Sequence, residues 1–547
     1  MRRTIEGLAP PGKDEYLKAA QTSQVAVNQP LPPGLQAEIN ERARIGEVCA
    51  PLVVSFTLPL ECLTPIVGGG VESRTPDEIE GVRIPGIRGQ LRMWWRALQP
   101  EPDNDKDLFE KEARLWGGVG LDPKGQDPKK PDALRSKVIL RVTTVDRGQD
   151  MAAGRYIGER GSYKAVPVWE GGAAMGYGLF PLQLEREELR QQTIAKPPTR
   201  SVRKNLQFDL HVSITLPVNT KEATDWLQGL REVLGSLWAW IHFGGVGSRT
   251  TRGFGALAVR EKDAVNILTT LQVLAERTED LSSDLRKELA DLFALFKQCS
   301  SKELARRLKE LHRVFDWPTE RPDEVKGFHP RLPAKSLLCG QVRRGAMDAL
   351  HDGLDNLKNF RQGPGVGRNS SAGSPRPGRS YWPEADTLRR LALKHRKHNA
   401  RFQRHPPTSG PALNGAPRAA FGMPLNTSFK DQDDKVADGV FMPTYGERWT
   451  SPLRMRPLRC SDGYVCLMIY MNQPFPQDAS SGSVSGHNVR AVLNQQPNLP
   501  KTEDAVLIKE SAGAQKTIQF ALDRAKGDAV AAFLDRLTQR GFQKVQA

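Results

Sequence analysis

The residues best suited to chemistry lie in one stretch, Phe243–Gly255, which reads FGGVGSRTTRGFG. It holds Gly244, Gly245, Gly247, Gly253 and Gly255, with Arg249 and Arg252 among the hydroxyls of Ser248, Thr250 and Thr251. Glycines permit positive φ and let backbone approach a ligand closely. Guanidinium and hydroxyl groups donate to phosphate oxygens. The chemistry implied is phosphate recognition rather than bond making, and a crowded tight turn is the simpler alternative. No Gly-Lys-Ser/Thr closes the stretch and the glycine spacing is not the dinucleotide fingerprint, so both common nucleotide cradles fail.

A second stretch, IPGIRGQLRMWWRALQ at Ile84–Gln99, carries Arg88, Arg92 and Arg96 at i, i+4 and i+8. On a helix starting near Gly86 they form one basic stripe, beside an apolar face of Leu91, Trp94, Trp95 and Leu98. No acidic residue interrupts the stripe, which suits a phosphate backbone; an ordinary solvated face is the bland alternative. Catalytic groups are harder to find. The chain has nine histidines, none before His211. His242 ends an apolar run and reads as structural, while His395, His398 and His405 add charge to a basic segment. There is no HExxH and no GxSxG motif. Asp77–Glu78 and Asp433–Asp434 lack partners for a metal, and Tyr156, Ser162 and Tyr163 fall in a loop-like region. No catalytic residue, metal or cofactor is expected.

The elements that must position these residues follow from periodicity. Trp226, Leu230, Val233, Leu234, Leu237, Trp238 and Ile241 predict a helix over Ala223–Ile241, and ALAV predicts a strand at Ala256–Val259. The order helix, glycine loop, strand reverses that of nucleotide cradles and turns the partly negative helix end toward the loop. A phosphate there depends on loop N–H groups and arginines. Strands are predicted at Leu52–Leu63, Ser136–Val142, Gln207–Leu216 and Asp462–Met471, and helices at Phe109–Gly118, Met347–Phe360 and in DAVAAFLDRLTQRGF near the C-terminus. Asp146–Gly178 reads as a glycine-rich loop, and Asp263–Phe315 as nearly continuous helix. Gly363–Ser380 is rich in Gly, Ser, Pro and Arg, and its Val366–Gly367 faintly echoes Val246–Gly247. A basic helix follows, opening with Tyr381 and Trp382, which either stack an unpaired base or pack a hinge with Pro383.

At 547 residues the chain has room for two or three domains, and its net charge of +16 with pI ≈ 9.6 points to a polyanionic partner. Residues 361–460 concentrate that charge, with 18 Lys/Arg against 7 Asp/Glu. The cysteines at 49, 62, 299, 339, 460 and 466 form no CxxC pair, which argues against zinc or a disulfide framework. The N-terminal residues contain no apolar signal core and no run is long enough to span a membrane, so a cytoplasmic protein without membrane association is expected.

In order and spacing, LTPIVGGG, IPGIRGQLRMWWRAL, EARLWGG and IHFGGVGSRTTRGFGAL resemble the RAMP superfamily of CRISPR systems. The tryptophan–arginine helix, with GRSYWPEADTLR, RAAFGMPL and SPLRMRPL, is similar to the first RAMP subunits of type III-B (Cmr) effector complexes. The motifs cover roughly residues 55–260 and 325–470. The resemblance implies an α+β fold of two ferredoxin-like (RRM-related) RAMP domains with a helical spacer. On that basis residues 1–48 form a polar, Pro-rich arm, 49–262 the first domain, 263–325 the spacer and 326–547 a second RAMP-like domain with the basic segment. It implies a non-catalytic role in antiviral defence, contacting the 3′ part of the CRISPR guide RNA and accommodating target RNA beside other Cmr subunits. RNA-binding residues would be Arg88, Arg92, Arg96, Gly245, Gly247, Ser248, Arg249, Thr250 and Arg252. Arg368 and Arg379 would join them, although GPGVGRNSSAGSPRPG is not a full second glycine loop. The alternatives are a RAMP endoribonuclease cutting guide precursor or target RNA, with Asp77 as candidate, and an assembly subunit without RNA contact.

Overall fold

Two four-stranded antiparallel sheets, wired the same way, position everything that follows. The computed structural model describes most of residues 52–182, 201–260, 291–363, 416–473 and 528–545, with short pieces near 382–388, 489–493 and 502–506. The first sheet draws on β1 (Leu52–Cys62), α1 (Ile84–Leu98), α2 (Asp105–Trp116), β2 (Val138–Asp146), β3 (Gln207–Leu216), α3 (Ala223–Phe243) and β4 (Leu257–Val259). Its strand order is β4-β1-β3-β2, with Leu58 opposite Leu210 and Leu210 opposite Val142.

Strand alternation explains the first core. Phe56, Leu58 and Leu60 are buried, whereas Ser55 is exposed and Thr57 half-buried on the other face. The apolar faces of α1 and α3 cover the buried side, with Leu91, Trp94, Trp95, Leu234 and Leu237 in one cluster. Burying each such side chain contributes about 1.5–3 kcal/mol. The region read as a spacer joins this core: α4 (Leu304–Val314) buries Leu304, Leu308 and Leu311 there. Trp317 follows it and lies 5.8 Å from Trp238. Residues 261–290 lie outside the described residues.

The second sheet uses β5 (Leu337–Cys339), α5 (Ala346–Gln362), β6 (Leu453–Cys460), β7 (Gly463–Tyr470), α6 (Ala529–Gln539) and β8 (Gln543–Lys544), in the order β6-β7-β5-β8. Both units therefore run β, α, β, β, α, β, and in each the third-coming strand lies beside the first. A third antiparallel sheet joins Leu425–Thr427, Gly439–Pro443, Val489–Leu493 and Thr502–Val506. The fold is mixed α and β with antiparallel sheets. No helix among the described residues is long and apolar enough to cross a membrane.

One expectation is corrected. Asp146–Gly178 is not a loop: it forms strands Gln149–Ala152, Gly154–Glu159 and Ser162–Pro167 and a short helix, Gly172–Gly178. Its glycines punctuate strands too short to show a period. Trp382 is 1% exposed and sits 5.4 Å from Phe360, so its indole packs the second core and has no free face for a base. Tyr381 lies outside the described residues.

Candidate nucleic-acid interface

The glycine stretch divides into two parts with opposite surroundings. Helix α3 ends at Phe243, and Gly244–Ser248 then run along the loop that follows β1. The Ser248 N–H and Oγ both donate to the Val67 carbonyl, at 2.7 and 2.8 Å. Gly247 has φ +77°, and a Cβ on it would meet Ile66 Cγ2 at 2.7 Å and the Val67 oxygen at 2.8 Å. That close approach is why the position needs glycine. Arg249 is also left-handed, at φ 63°, and opens a short turn, Thr250–Arg252, closed by Gly253. Thr250 is half-buried, and its carbonyl accepts the Gly253 N–H at 3.1 Å.

The first part faces a cleft of about 620 Å³ between this loop, Gly68–Gly69 and the start of α1. Gly245, Gly247 and Ser248 form one wall; Arg83, Gly86 and Gln90 form the other. Helix α1 begins with Pro85 in its first turn, has no side-chain cap and has no acidic residue there. No carboxylate of its own first turn therefore compensates its partly positive end. A Cβ on Gly86 or Gly89 would meet nothing within 4 Å, so bare helix backbone is open to a ligand. Gln90 Oε1 is buried without a hydrogen-bond partner. Arg83 Nε pairs with Asp77 Oδ2 at 2.8 Å. Glycine walls, a helix N-terminus and no carboxylate among the described lining residues suit an anionic, backbone-like ligand.

The second part turns inward. Arg252 is 7% exposed and donates to the Leu453 carbonyl at 3.0 Å, with Ser451 Oγ at 3.3 Å and the Phe421 carbonyl at 3.5 Å. Burial, then the nearby Arg249, pushes its guanidinium down to about 9. The Arg252 Nη groups, expected to face a ligand phosphate, are engaged inside the second unit. The exchange is reciprocal. Arg456 of β6 is 1% exposed and donates to the carbonyls of Ile241, Gly244 and Leu257 at 2.6, 3.0 and 2.7 Å. A buried cation thus meets the negative end of α3 where the glycine loop begins. Arg249 Nε donates to the Gly178 carbonyl at 2.8 Å.

The basic stripe of α1 is also changed by its surroundings. Arg92 Nε donates to Glu112 Oε1, and Arg96 Nη1 meets both Glu112 oxygens at 2.7 and 2.9 Å. Glu112 comes from α2 and is 2% exposed. The uninterrupted stripe seen in the sequence therefore receives an acid from the next helix. Arg88 bonds Ser136 Oγ at 2.9 Å and the Val138 carbonyl at 3.3 Å, and burial followed by Arg92 holds it below its usual range. All three arginines are half-buried, leaving three cations against one carboxylate.

The structure thus brings Gly245, Gly247 and Ser248 together with the start of α1, and sends Arg249, Arg252 and the stripe elsewhere. Arg368 and Arg379 lie outside the described residues. The suspected second glycine loop follows α5, the first helix of its unit, whereas Gly244–Arg249 follow the second helix of theirs. The cleft residues missed in the sequence are Arg83, Gly86 and Gln90; the signal was Pro85 at a helix start followed by a bare glycine. His242 stacks on Trp238 at 4.1 Å, and burial drives its imidazole down to about 3, as fits a structural histidine. The His351–Asp352 dipeptide carries no metal motif: Asp352 pairs with Arg343 at 2.5 Å, and no metal-holding cluster occurs among the described residues.

Residues 59–258, which hold α1, the glycine loop and most of the first sheet, match the family model of the RAMP superfamily. Among solved structures, the chain is similar to Cmr1 from Pyrococcus furiosus in its apo form, at 15% identity and TM-score 0.35, over 79% of this chain and 92% of that one. It is also similar to a chain of the type III-B Cmr-beta complex bound to cognate target RNA, at 13% identity and TM-score 0.40, over 77% and 94%. No curated protein matches the sequence.

Proposed function

We propose that the chain is a non-catalytic RNA-binding subunit of a type III-B CRISPR ribonucleoprotein, gripping the 3′ part of a guide RNA by its backbone in the cleft between the glycine loop and the start of α1. The observation that carries this reading is the cleft: about 620 Å³, walled by glycine backbone and an uncapped helix N-terminus, with no carboxylate among the described residues that line it. Such a surface meets phosphates and leaves sequence to base pairing. The RAMP match over residues 59–258 and the arginine-rich α1 support RNA as the anion. Target RNA and other Cmr subunits are the partners this reading assigns. The shared β-α-β-β-α-β wiring supports two ferredoxin-like domains, divided near residues 262 and 326, in a cytoplasmic protein.

The loop-aspartate nuclease reading finds little support. Asp77 is 5% exposed, with its carboxylate held by Arg83 and by the Ile79 N–H at 2.9 Å. A carboxylate so engaged is a loop anchor.

Gly86→Glu tests the proposal. The added side chain has open space, a non-glycine residue raises helix propensity, and an acid near a helix N-terminus is favourable, so folding should hold or improve. RNA binding should fall about tenfold or more, equivalent to about 1.4 kcal/mol. Gly86→Gln separates bulk from charge. Wild-type RNA affinity in Gly86→Glu, measured by anisotropy on the full chain, would falsify the cleft reading.

A further inference from the structure

Beyond Ser248 the glycine loop leads to Arg249, which joins a cationic cluster with Arg361. Arg249 Nε is anchored on the Gly178 carbonyl at 2.8 Å, and Arg361 Nη1 on the Tyr177 hydroxyl at 2.8 Å. Tyr177 and Gly178 are neighbours at the end of one short helix, Gly172–Gly178, so two guanidinium groups from distant parts of the chain converge there. Arg361 also lies 5.4 Å from the Phe421 ring centroid, and its Nε is buried without a partner. Both Nη atoms of Arg249 lack a protein acceptor among the described residues. Buried Arg252 adds a third charge from below.

None of these three arginines is paired with a carboxylate among the described residues. Like charges partly removed from water repel, and an anion between them offsets that repulsion. The strain is visible in Arg249, held below its usual range by burial and by Arg361, with Tyr177 opposing. Arg249, Tyr177 and Arg361 are half-buried, hence within reach of a ligand. Phe180, two residues past Gly178 in the chain, exposes 64% of its surface.

We propose that Arg249 and Arg361, set around Tyr177, form a second phosphate subsite for single-stranded RNA, reached from the cleft across Ser248, with Phe180 as the stacking face for the adjoining base. Guanidinium pairs bind phosphate bidentately, and an exposed aromatic face accepts any base, so the subsite reads backbone and stacking rather than sequence. The inference rests on the RNA-binding reading above and adds residues from the second unit to it.

The test measures binding of a labelled oligouridylate to the full chain across a potassium chloride series. Arg361→Gln should weaken binding several-fold and flatten the log–log salt slope by about 0.7, the value for one phosphate contact on a single strand. Arg361→Lys should keep the slope, and Phe180→Ala should weaken binding without changing it. Wild-type affinity and slope in Arg361→Gln, with binding lost in Gly86→Glu, would overturn the subsite and leave the cleft standing. Wild-type behaviour in both would remove both readings. If Arg361→Gln does not fold, Phe180→Ala decides, and unchanged affinity there overturns the subsite. Loss of inorganic-phosphate binding in Arg361→Gln with RNA binding intact would assign the cluster to a free anion and also overturn it.

Discussion

The same five-residue turn closes both units, and the first copy is preceded by the glycine residues that wall the cleft. Thr250–Phe254 reads TTRGF and Thr538–Phe542 reads TQRGF. Each leads toward the last strand of its sheet, β4 or β8. Gly253 and Gly541 take φ +81° and +89°, and each donates its N–H to the threonine three residues earlier at 3.1 Å. Phe254 and Phe542 are 0% and 5% exposed and share one core cluster. The copies differ in what precedes them. Helix α6 runs straight into the second turn, with Thr538 still helical, whereas Gly244–Arg249 stand between α3 and the first. Those interposed residues supply the cleft wall and Arg249. The turn belongs to the fold, and the candidate site is what has been inserted ahead of it.

The environments of the two turns also differ, and that difference can be broken by substitution. The largest effect should come from Gly253→Ala. An added Cβ there meets Leu350 Cδ1 at 2.4 Å, the Met455 oxygen at 3.0 Å and Arg456 Cα at 3.2 Å. At Gly541 it meets only Gln341 Nε2, at 3.4 Å. Both variants bear the left-handed penalty of about 1–2 kcal/mol, and Gly253→Ala adds overpacking of about 1–3 kcal/mol. Denaturant unfolding should rank Gly253→Ala as clearly the worse. Equal losses would mean that the two turns are equivalently packed, and the contrast would fail.

A smaller effect is expected from the neighbouring arginines. Arg252→Met removes the donor to the Phe421 carbonyl and one of two donors to the Leu453 carbonyl, which keeps Ser451 Oγ at 3.1 Å, and should cost about 1–3 kcal/mol. Arg540 is exposed, and Arg540→Met should stay within about 0.5 kcal/mol of wild type. A loss in Arg252→Met no larger than that in Arg540→Met would show that the inward arginine is not a staple between units.

Much of this was legible in the sequence, and what was missed shares a physical cause. Gln207–Leu216 was readable to the residue, and α1 and α3 to within one or two, because long elements with one buried face carry a clear period. The four- and six-residue strands of the Asp146–Gly178 region carry none. The direction of each arginine was not legible. Arg92 and Arg96 meet a carboxylate on another helix, and Arg252 meets carbonyls across the second sheet, so their partners are set by tertiary packing alone. The repeated TxRGF turn was visible in principle. Its glycine, Gly253 or Gly541, repeats, whereas Gly244, Gly245 and Gly247 have no counterpart ahead of Thr538.

The smallest expected effect concerns pH, and it too separates the two turns. His242 ends α3 beside the inserted glycines, while α6 and the turn after it contain no histidine. Its imidazole lies at about 3 rather than 6.5, chiefly through burial, with Arg456 and Arg307 pushing the same way and the Trp238 carbonyl opposing. As pH falls below 6.5 the unfolded chain takes up a proton that the folded chain refuses. Stability is therefore fully present above 6.5 and declines through the window down to about 3, by at most about 1.4 kcal/mol per pH unit. Buried His312 is lowered as well and adds to the slope with the same sign. His242→Gln should thus shrink the loss of stability between pH 7 and pH 5 without abolishing it, by up to about 2 kcal/mol. Chemical unfolding at the two pH values measures this directly. An unchanged loss in His242→Gln would show that the end of α3 opens to water before the proton arrives, and the first turn would then be as loosely held as the second.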